Sequence, residues 1–239
     1  MIRVGRCIYT SDGIINPKYD NFTPIVVMSM NNKWGTLSPY HLTDDKGRIF
    51  EDLWQFSKIY KEVPKVIQRK SKYDSTIIWD HPAEVHLTDA GQITEEYVKW
   101  RYKGMYCKYP IRYPVGYHHR HKCLYAIPED ENGFLTNDKY DYITSRKEIY
   151  LKEYYKLVKR VPQYTQLKQR LANGENLLII EVDGPHQESL PYYKEKYEVV
   201  DDFIINNTML ATDSNLQIML NDPKHPFGHG YCLAVSLLH

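Results

Sequence analysis

Residues 34–58 read Trp-Gly-Thr-Leu-Ser-Pro-Tyr-His-Leu-Thr-Asp-Asp-Lys-Gly-Arg-Ile-Phe-Glu-Asp-Leu-Trp-Gln-Phe-Ser-Lys, and this segment is the most informative part of the sequence. Residues 44–47 predict a hairpin turn, and residues 49–61 then carry apolar side chains at helical spacing. Positions seven apart return to the same face of a helix with about 3.6 residues per turn, so Glu51 and Lys58 are expected on one stripe with Trp54. A carboxylate, an indole and an amine in such a stripe form either a functional site or a solvated helix face.

The composition is that of a globular protein of 239 residues, long enough to bury a substantial core. The formal net charge of +1 provides no global field to attract a polyanion. Four scattered cysteines without a CxxC pair are typical of reduced thiols, and the N-terminus lacks the apolar segment of a signal peptide, so a cytoplasmic location is expected. No apolar run approaches the roughly 18 residues that a membrane span needs.

Helical and extended patterns alternate without a regular βαβ order, which favours an α+β fold. Short β-branched runs predict strands at residues 2–10, 24–30, 177–182 and 231–238. Helices are expected at 49–61 and 94–106, and a long one at 145–172 that Pro162 kinks or divides. Asn173 and Gly174 are a fitting end for it. Residues 128–133 are acidic and predict an exposed loop.

The order of these features resembles the NADAR family, also called YbiA-like. Members of that family show a Leu-Ser-x-Phe/Tyr element, a turn with glycine, and then Glu-x-x-aromatic-x-x-x-Lys on a helix. The corresponding residues of this chain are Leu37, Ser38, Tyr40, Gly47, Glu51, Trp54 and Lys58. Further similar positions are Ile8-Tyr9-Thr10-Ser11, Arg146, Asn173-Gly174-Glu175, Leu178-Ile179-Ile180-Glu181 and Phe227-Gly228-His229-Gly230, where Phe227 replaces the family's Trp.

The resemblance implies one helix-rich α+β domain over residues 1–239, with a small mixed sheet and a family-specific insertion at about 62–145. It also implies hydrolysis of an N-glycosidic bond, without a cofactor, by Lys58 as nucleophilic or electrostatic group and Glu51 as its acid–base partner. Two substrate classes are open: an ADP-ribosylated base such as guanine, and ribosylated intermediates of riboflavin synthesis. The substrate-binding positions that it implies are Ser38, Tyr40, Trp54, Arg146, Glu181, Asp183, Phe227, Gly228 and His229.

Several of these positions also have a chemical rationale of their own. Glu181 and Asp183 end a buried strand, a common location for a ribose-binding or catalytic carboxylate, although Asp183 equally suits the start of an Asx turn. Arg146 suits a diphosphate because a guanidinium binds such groups in bidentate fashion, and it equally suits a helix surface. Phe227 offers a plate on which a base could stack, or a simple turn.

Basic and aromatic residues alternate between 97 and 125, in a stretch without a single Asp or Glu. Positive charge follows phosphates while aromatic faces stack on unpaired bases, so this segment predicts contact with single-stranded nucleic acid; the alternative is a solvated basic face. His118, His119, His121 and Cys123 are too close in sequence to converge on one ion, so no metal site is expected. A binding module without turnover remains the alternative to an enzyme.

Overall fold

The chain divides into two compact units in the computed structural model, which describes residues 1–239. The central unit is Thr43–Tyr150, and the discontinuous unit combines Met1–Leu42 with Leu151–His239. The predicted insertion at 62–145 lies inside the central unit, which starts earlier, at Thr43. None of the helices combines the length and apolar character that crossing a bilayer requires.

Twelve short strands and eight α-helices make up the regular structure. The strands are β1 Ile2–Arg6, β2 Ile8–Thr10, β3 Gly13–Ile15, β4 Thr23–Val26, β5 Lys58–Ile59, β6 Glu62–Val63, β7 Val66–Arg69, β8 Ile77–His81, β9 Glu84–Val85, β10 Tyr125–Ala126, β11 Leu177–Glu181 and β12 Thr208–Leu210. The helices are α1 Phe50–Phe56, α2 Glu95–Met105, α3 Tyr142–Ser145, α4 Lys152–Val158, α5 Pro162–Ala172, α6 Leu190–Tyr197, α7 Asp213–Asn221 and α8 His229–Leu238. A π-helical segment, Arg146–Leu151, lies between α3 and α4.

The discontinuous unit is built on a four-stranded mixed sheet in the order β12-β1-β11-β4. β11 is parallel to both of its neighbours, β1 and β4, while β12 runs antiparallel to β1. All five residues of β11 are buried, as expected of a central strand covered on both faces. Helix α8 contacts β1, β11 and α4, and so covers the sheet.

The central unit has its own core, around the aromatic rings of Phe56, Trp79 and Trp100. The Phe56 ring lies 5.0 Å from Trp79 and 4.5 Å from Trp100, measured between centroids. Helices α1 and α2 and the small two-stranded sheets β5–β10, β6–β9 and β7–β8 supply the surrounding side chains. Aromatic side chains bury large areas, and they dominate the stability of such a core.

The α+β class with a small mixed sheet is confirmed, and several elements lie where the sequence predicts them. The turn at 44–47 is present, with Gly47 at φ 76° and its N–H donating to the Asp44 carbonyl at 3.0 Å. Helix α2 and strand β11 agree closely with their predictions. The long helix is divided, and Pro162 begins its second part in the first helical position, where its missing N–H costs nothing. The YbiA-like form of the fold stays a prediction.

Four boundary or element assignments are wrong. Residues 231–238 form a helix, not a strand: α8 buries nearly all of its side chains, so the apolar run shows no amphipathic period. Helix α1 ends at Phe56, and Lys58 is paired in β5 with Ala126 of β10. The first strand is split at Cys7 into β1 and β2, and the predicted strand 24–30 is reduced to β4, which ends at Val26.

Candidate functional site

Lys58 lies partly buried at the start of β5, immediately after the end of α1. Its Nζ donates a hydrogen bond to Gln55 Oε1 at 2.8 Å and lies 4.5 Å from the centroid of the Trp54 ring. Burial lowers the pKa of this amine, and the nearby Cys123 and Glu51 oppose the shift without cancelling it. A lysine with a lowered pKa is more often a free amine near neutral pH, which is the form that can attack carbon.

Gln55 connects Lys58 to Glu51, the other predicted catalytic residue. The amide Nε2 donates to Glu51 Oε1 at 2.9 Å while the amide oxygen accepts from Lys58. The carboxylate can only accept, so the orientation of the Gln55 amide is determined by its two partners. Glu51 is only 6% exposed. Glu51 and Lys58 are therefore connected, as their spacing predicts, although Glu51 lies on a helix and Lys58 on a strand. The connecting residue is Gln55, to which the sequence prediction gave no role.

Aromatic side chains surround this group within the central unit. The Trp54 ring meets Tyr150 edge to face at 5.0 Å, and Tyr150 also contacts Phe50 at 5.0 Å. Arg146 is 2% exposed, and its guanidinium lies 4.4 Å above the Tyr142 ring. The Arg146 side chain is thus buried beside Tyr142, and its contact with a diphosphate stays a prediction.

Asp52 is a residue that the sequence prediction missed. It is completely buried, and its Oδ1 accepts the backbone N–H of Ile111 at 2.6 Å. Burial raises the pKa of Asp52 to about 8, with the charge of Glu51 adding to the shift and the hydrogen bond from Ile111 opposing it. The sequence offered one signal for a buried acid, the adjacent pair Glu51 and Asp52. Neighbouring residues of a helix point in different directions, so the two carboxyl groups had to lie in different surroundings.

The discontinuous unit brings together three other predicted residues, Glu181, Gly228 and His229. Glu181 ends β11 and is 1% exposed, and its Oε1 accepts the backbone N–H of Gly230 in the first turn of α8 at 2.8 Å. Its Oε2 lies 3.1 Å from His229 Nδ1, and His229 Nε2 lies 2.9 Å from the carbonyl oxygen of Val27. Burial alone would lower the pKa of His229, but the carboxylate and these hydrogen bonds outweigh it and raise the pKa.

The remaining predicted residues lie near the ends of other elements, and their binding roles stay predictions. Ser38 is buried, and its Oγ accepts the N–H of Tyr40 at 3.3 Å, which closes a turn. Phe227 is 5% exposed and stacks on Tyr231 with 5.0 Å between ring centroids, so one face of its ring is covered by Tyr231. Asp183 is partly buried, two residues beyond the end of β11. The predicted set as a whole divides between the two units, with Glu51, Trp54, Lys58 and Arg146 in the central one.

The basic and aromatic segment 97–125 has a buried part and an exposed part. Tyr97 and Arg101 belong to the core, where the Arg101 guanidinium donates to the carbonyl oxygens of Phe56 and Ile127. Tyr102 and Tyr106 are exposed, with rings 4.7 Å apart, and the Arg120 guanidinium lies 3.7 Å above the exposed Tyr117 ring. No group of three or more His, Cys, Asp or Glu side chains is arranged to hold a metal ion.

No protein-family model, no curated protein and no solved structure matches this chain. The resemblance to the NADAR family therefore rests on the sequence motifs alone and stays a prediction.

Proposed function

We propose that this chain is an N-glycoside hydrolase that removes ADP-ribose from a modified nucleobase. The observation that carries the proposal is the environment of the Lys58 amine. Burial lowers the pKa of this amine. Gln55 links it by hydrogen bonds to the buried carboxylate of Glu51. An unprotonated amine next to a proton acceptor is the combination that nucleophilic substitution at a sugar carbon requires.

The proposed reaction starts with attack of Lys58 Nζ on C1 of the ribose. The C–N bond to the base breaks, its electron pair leaves with the base, and the base takes up a proton. Glu51 accepts the proton that the attacking amine loses. The product of this displacement is a glycosylamine. Its bond from C1 to the ring oxygen then breaks as the nitrogen lone pair forms the C=N bond of a Schiff base, and the ring oxygen takes up the proton held by Glu51. Water adds to the Schiff base, which releases ADP-ribose and restores the amine. Burial of the Lys58 side chain disfavours the charged ammonium and so preserves the nucleophile, even though the face of the Trp54 ring 4.5 Å away attracts a cation.

The exposed rings and cations of segment 97–125 favour a substrate carried on single-stranded nucleic acid. Exposed tyrosines stack on unpaired bases, and arginine and lysine follow the phosphates. The rival substrate is a free ribosylated metabolite, for which this surface has no use. The second rival, a binding module, predicts association with ADP-ribose without turnover.

The experiment incubates the protein with ADP-ribosylated single-stranded DNA and, separately, with ADP-ribosylated free nucleotide, and measures released ADP-ribose by mass spectrometry. We expect release from the DNA, and a borohydride-trapped adduct on Lys58. Lys58→Ala should lower the rate by roughly 10³-fold or more, as loss of a nucleophile does. Lys61→Ala is the matched control, because Lys61 is an exposed lysine three residues away that pairs with Asp89.

Each other outcome identifies a different function. Release from the free nucleotide alone would support the metabolite hydrolase. Binding of ADP-ribose without release, unchanged in Lys58→Ala, would support the binding module. Release that continues in Lys58→Ala, with no adduct, would show that another group performs the chemistry.

A further inference from the structure

Three residues of the discontinuous unit, Ser189, His225 and Asp222, form a hydrogen-bonded chain that the proposed glycosidase does not use. Ser189 directly precedes α6, and the other two follow the end of α7. The Oγ of Ser189 lies 3.0 Å from His225 Nε2, and His225 Nδ1 lies 2.6 Å from Asp222 Oδ2. A hydroxyl on one ring nitrogen and a buried carboxylate on the other is the arrangement that activates a serine nucleophile.

Asp222 is fully buried and held as a carboxylate by an unusual number of donors. The phenol groups of Tyr192 and Tyr193 donate to its two oxygens at 2.5 and 3.0 Å, and the backbone N–H groups of Lys224 and His225 donate at 3.2 Å each. Burial alone would raise the pKa of Asp222, but these hydrogen bonds and that of His225 lower it to about 2. The negative charge is therefore permanent at any physiological pH.

The ionised carboxylate determines which nitrogen of His225 carries the proton. Asp222 Oδ2 can only accept, so the ring nitrogen 2.6 Å from it, Nδ1, is the protonated one. In the neutral ring Nε2 then carries a lone pair, and it can only accept the proton of the Ser189 hydroxyl. Ser189 is partly buried and the His225 side chain is 16% exposed, so both remain within reach of a small molecule.

We propose that Ser189, His225 and Asp222 form a second catalytic centre, which hydrolyses small carboxylic esters. Ser189 Oγ bonds to the ester carbonyl carbon as its proton passes to His225 Nε2. The C–O bond to the alcohol then breaks, and the alkoxide takes the proton from His225 and leaves. Water, deprotonated by His225, next attacks the acyl carbon, and the acid departs as Ser189 Oγ recovers the proton. Esters are the substrate class because an alkoxide leaves more readily than the amine of an amide.

No sequence motif marks this centre. The residues around Ser189 read Gln-Glu-Ser-Leu-Pro, without the flanking glycines of a nucleophile elbow. The order Ser, Asp, His is shared with one group of hydrolases on an unrelated fold, but such a constellation is recognised by its geometry and not by its sequence. The alternative role of the cluster is structural, as a tie between the start of α6 and the chain after α7.

The test treats the full-length protein with a fluorophosphonate probe and locates the modified residue by peptide mass spectrometry. In this reaction Ser189 Oγ attacks phosphorus, its proton passes to His225, and fluoride leaves. We expect labelling of Ser189, no labelling of the exposed Ser214, and loss of p-nitrophenyl acetate hydrolysis in Ser189→Ala but not in Ser214→Ala. His225→Gln should slow labelling by roughly 10²-fold or more, as expected when a general base is lost.

Two outcomes would overturn the proposal. One is a folded wild-type protein in which Ser189 reacts no faster than Ser214, a comparison that needs no variant to fold. The other is a folded His225→Gln variant that is labelled at the wild-type rate. The fluorophosphonate probe reports on Ser189 and the borohydride adduct reports on Lys58, so failure of this centre is distinguishable from failure of the proposed glycosidase.

Discussion

At the scale of single residues, burial acts on Asp52 and Lys58 in opposite directions. It raises the pKa of the carboxyl group and lowers that of the amine, because in both cases the charged form loses its hydration. The two groups are six positions apart, near opposite ends of α1. Neutral Asp52 serves as an anchor for the backbone at Ile111, whereas the uncharged form of Lys58 is the reactive one.

Asp52→Asn should change how stability depends on pH. Between the ordinary pKa of an aspartate and about 8, the folded protein holds a proton that the unfolded chain releases. The wild-type free energy of unfolding should therefore fall as pH rises through this window, by up to roughly 1.4 kcal/mol per pH unit. The asparagine of the variant keeps the oxygen that accepts from Ile111 and has no proton to lose, so the variant's curve should be flatter.

Urea denaturation of both proteins between pH 4 and pH 9 measures the difference. Parallel curves for the wild type and Asp52→Asn would show that the carboxyl group is already ionised in the folded state.

At the scale of elements, the first turn of α8 is shaped by its approach to the end of β11. The Glu181 carboxylate lies at the helix N-terminus, where an anion is favoured by the unpaired backbone N–H groups and by the helix dipole. Gly228 and Gly230 allow this approach: a Cβ on Gly230 would lie only 2.7 Å from Glu181 Oε1. A side chain at either position would displace the carboxylate from His229.

Gly230→Ala should lower the free energy of unfolding by about 2 kcal/mol or more, because the added methyl group must push a buried carboxylate off its donors. Leu238→Ala, at an exposed position near the end of the same helix, is the control and should cost about 0.5 kcal/mol or less. Thermal or urea unfolding compares them. Equal losses in the two variants would mean that Glu181 relocates freely.

The acidic loop at 128–133, predicted to be exposed, contains one residue that belongs to the interior. Glu129 Oε2 lies 2.8 Å from the Arg48 guanidinium, and its Oε1 lies 3.4 Å from that of Arg101. Both arginine side chains are at most 10% exposed. Glu129 thus supplies negative charge to two buried cations of the central unit, and Arg48 is paired with Asp44 as well, at 2.8 Å.

Glu129→Gln should destabilise the protein by about 2–4 kcal/mol, since it leaves the buried Arg101 guanidinium without its carboxylate partner and leaves Arg48 paired with Asp44 alone. Glu131→Gln, on an exposed residue of the same loop, removes the same charge and should change stability by no more than about 0.5 kcal/mol. If the two substitutions proved equally mild in chemical denaturation, solvent would have to be screening the Glu129 pairs.

At the scale of the whole molecule, a net charge of +1 conceals an uneven distribution. Residues 97–125 carry no carboxylate, and their exposed cations and rings are spread from Lys99 to Lys122. Affinity for a nucleic acid should therefore come from this local surface and not from the total charge.

Arg120→Ala should weaken binding of a fluorescent single-stranded oligonucleotide and reduce its salt dependence by about one phosphate contact. Lys99→Ala is the control within the same segment, because Lys99 is already paired with Glu95 on the helix surface. Fluorescence anisotropy at increasing salt concentration measures both. Identical affinities for the wild type and Arg120→Ala would exclude this surface as the binding site.

The sequence by itself determined the features that depend on neighbouring residues. The turn at 44–47, helix α2 with its Thr94 cap, the break before Pro162 and the buried strand β11 all follow from local backbone preferences and from local hydrophobic pattern. The nearness of Glu51, Trp54 and Lys58 also followed from their spacing, even though the helix expected to carry all three ends at Phe56.

The remaining helix ends, buried groups and side-chain contacts depend on residues far apart in the chain, so they are seen only in the folded structure. Lys58 pairs with Ala126 in the β5–β10 sheet, so α1 ends before it. Helix α8 is buried on nearly every side, so its sequence lacks the alternation of apolar and polar residues that distinguishes a helix from a strand. The link between Ser189 and His225 spans 36 positions, and the burial of Arg146 depends on packing that no local pattern encodes. Desolvation and long-range hydrogen bonds exist only once the chain has folded, so the chemistry that they create is absent from the sequence pattern.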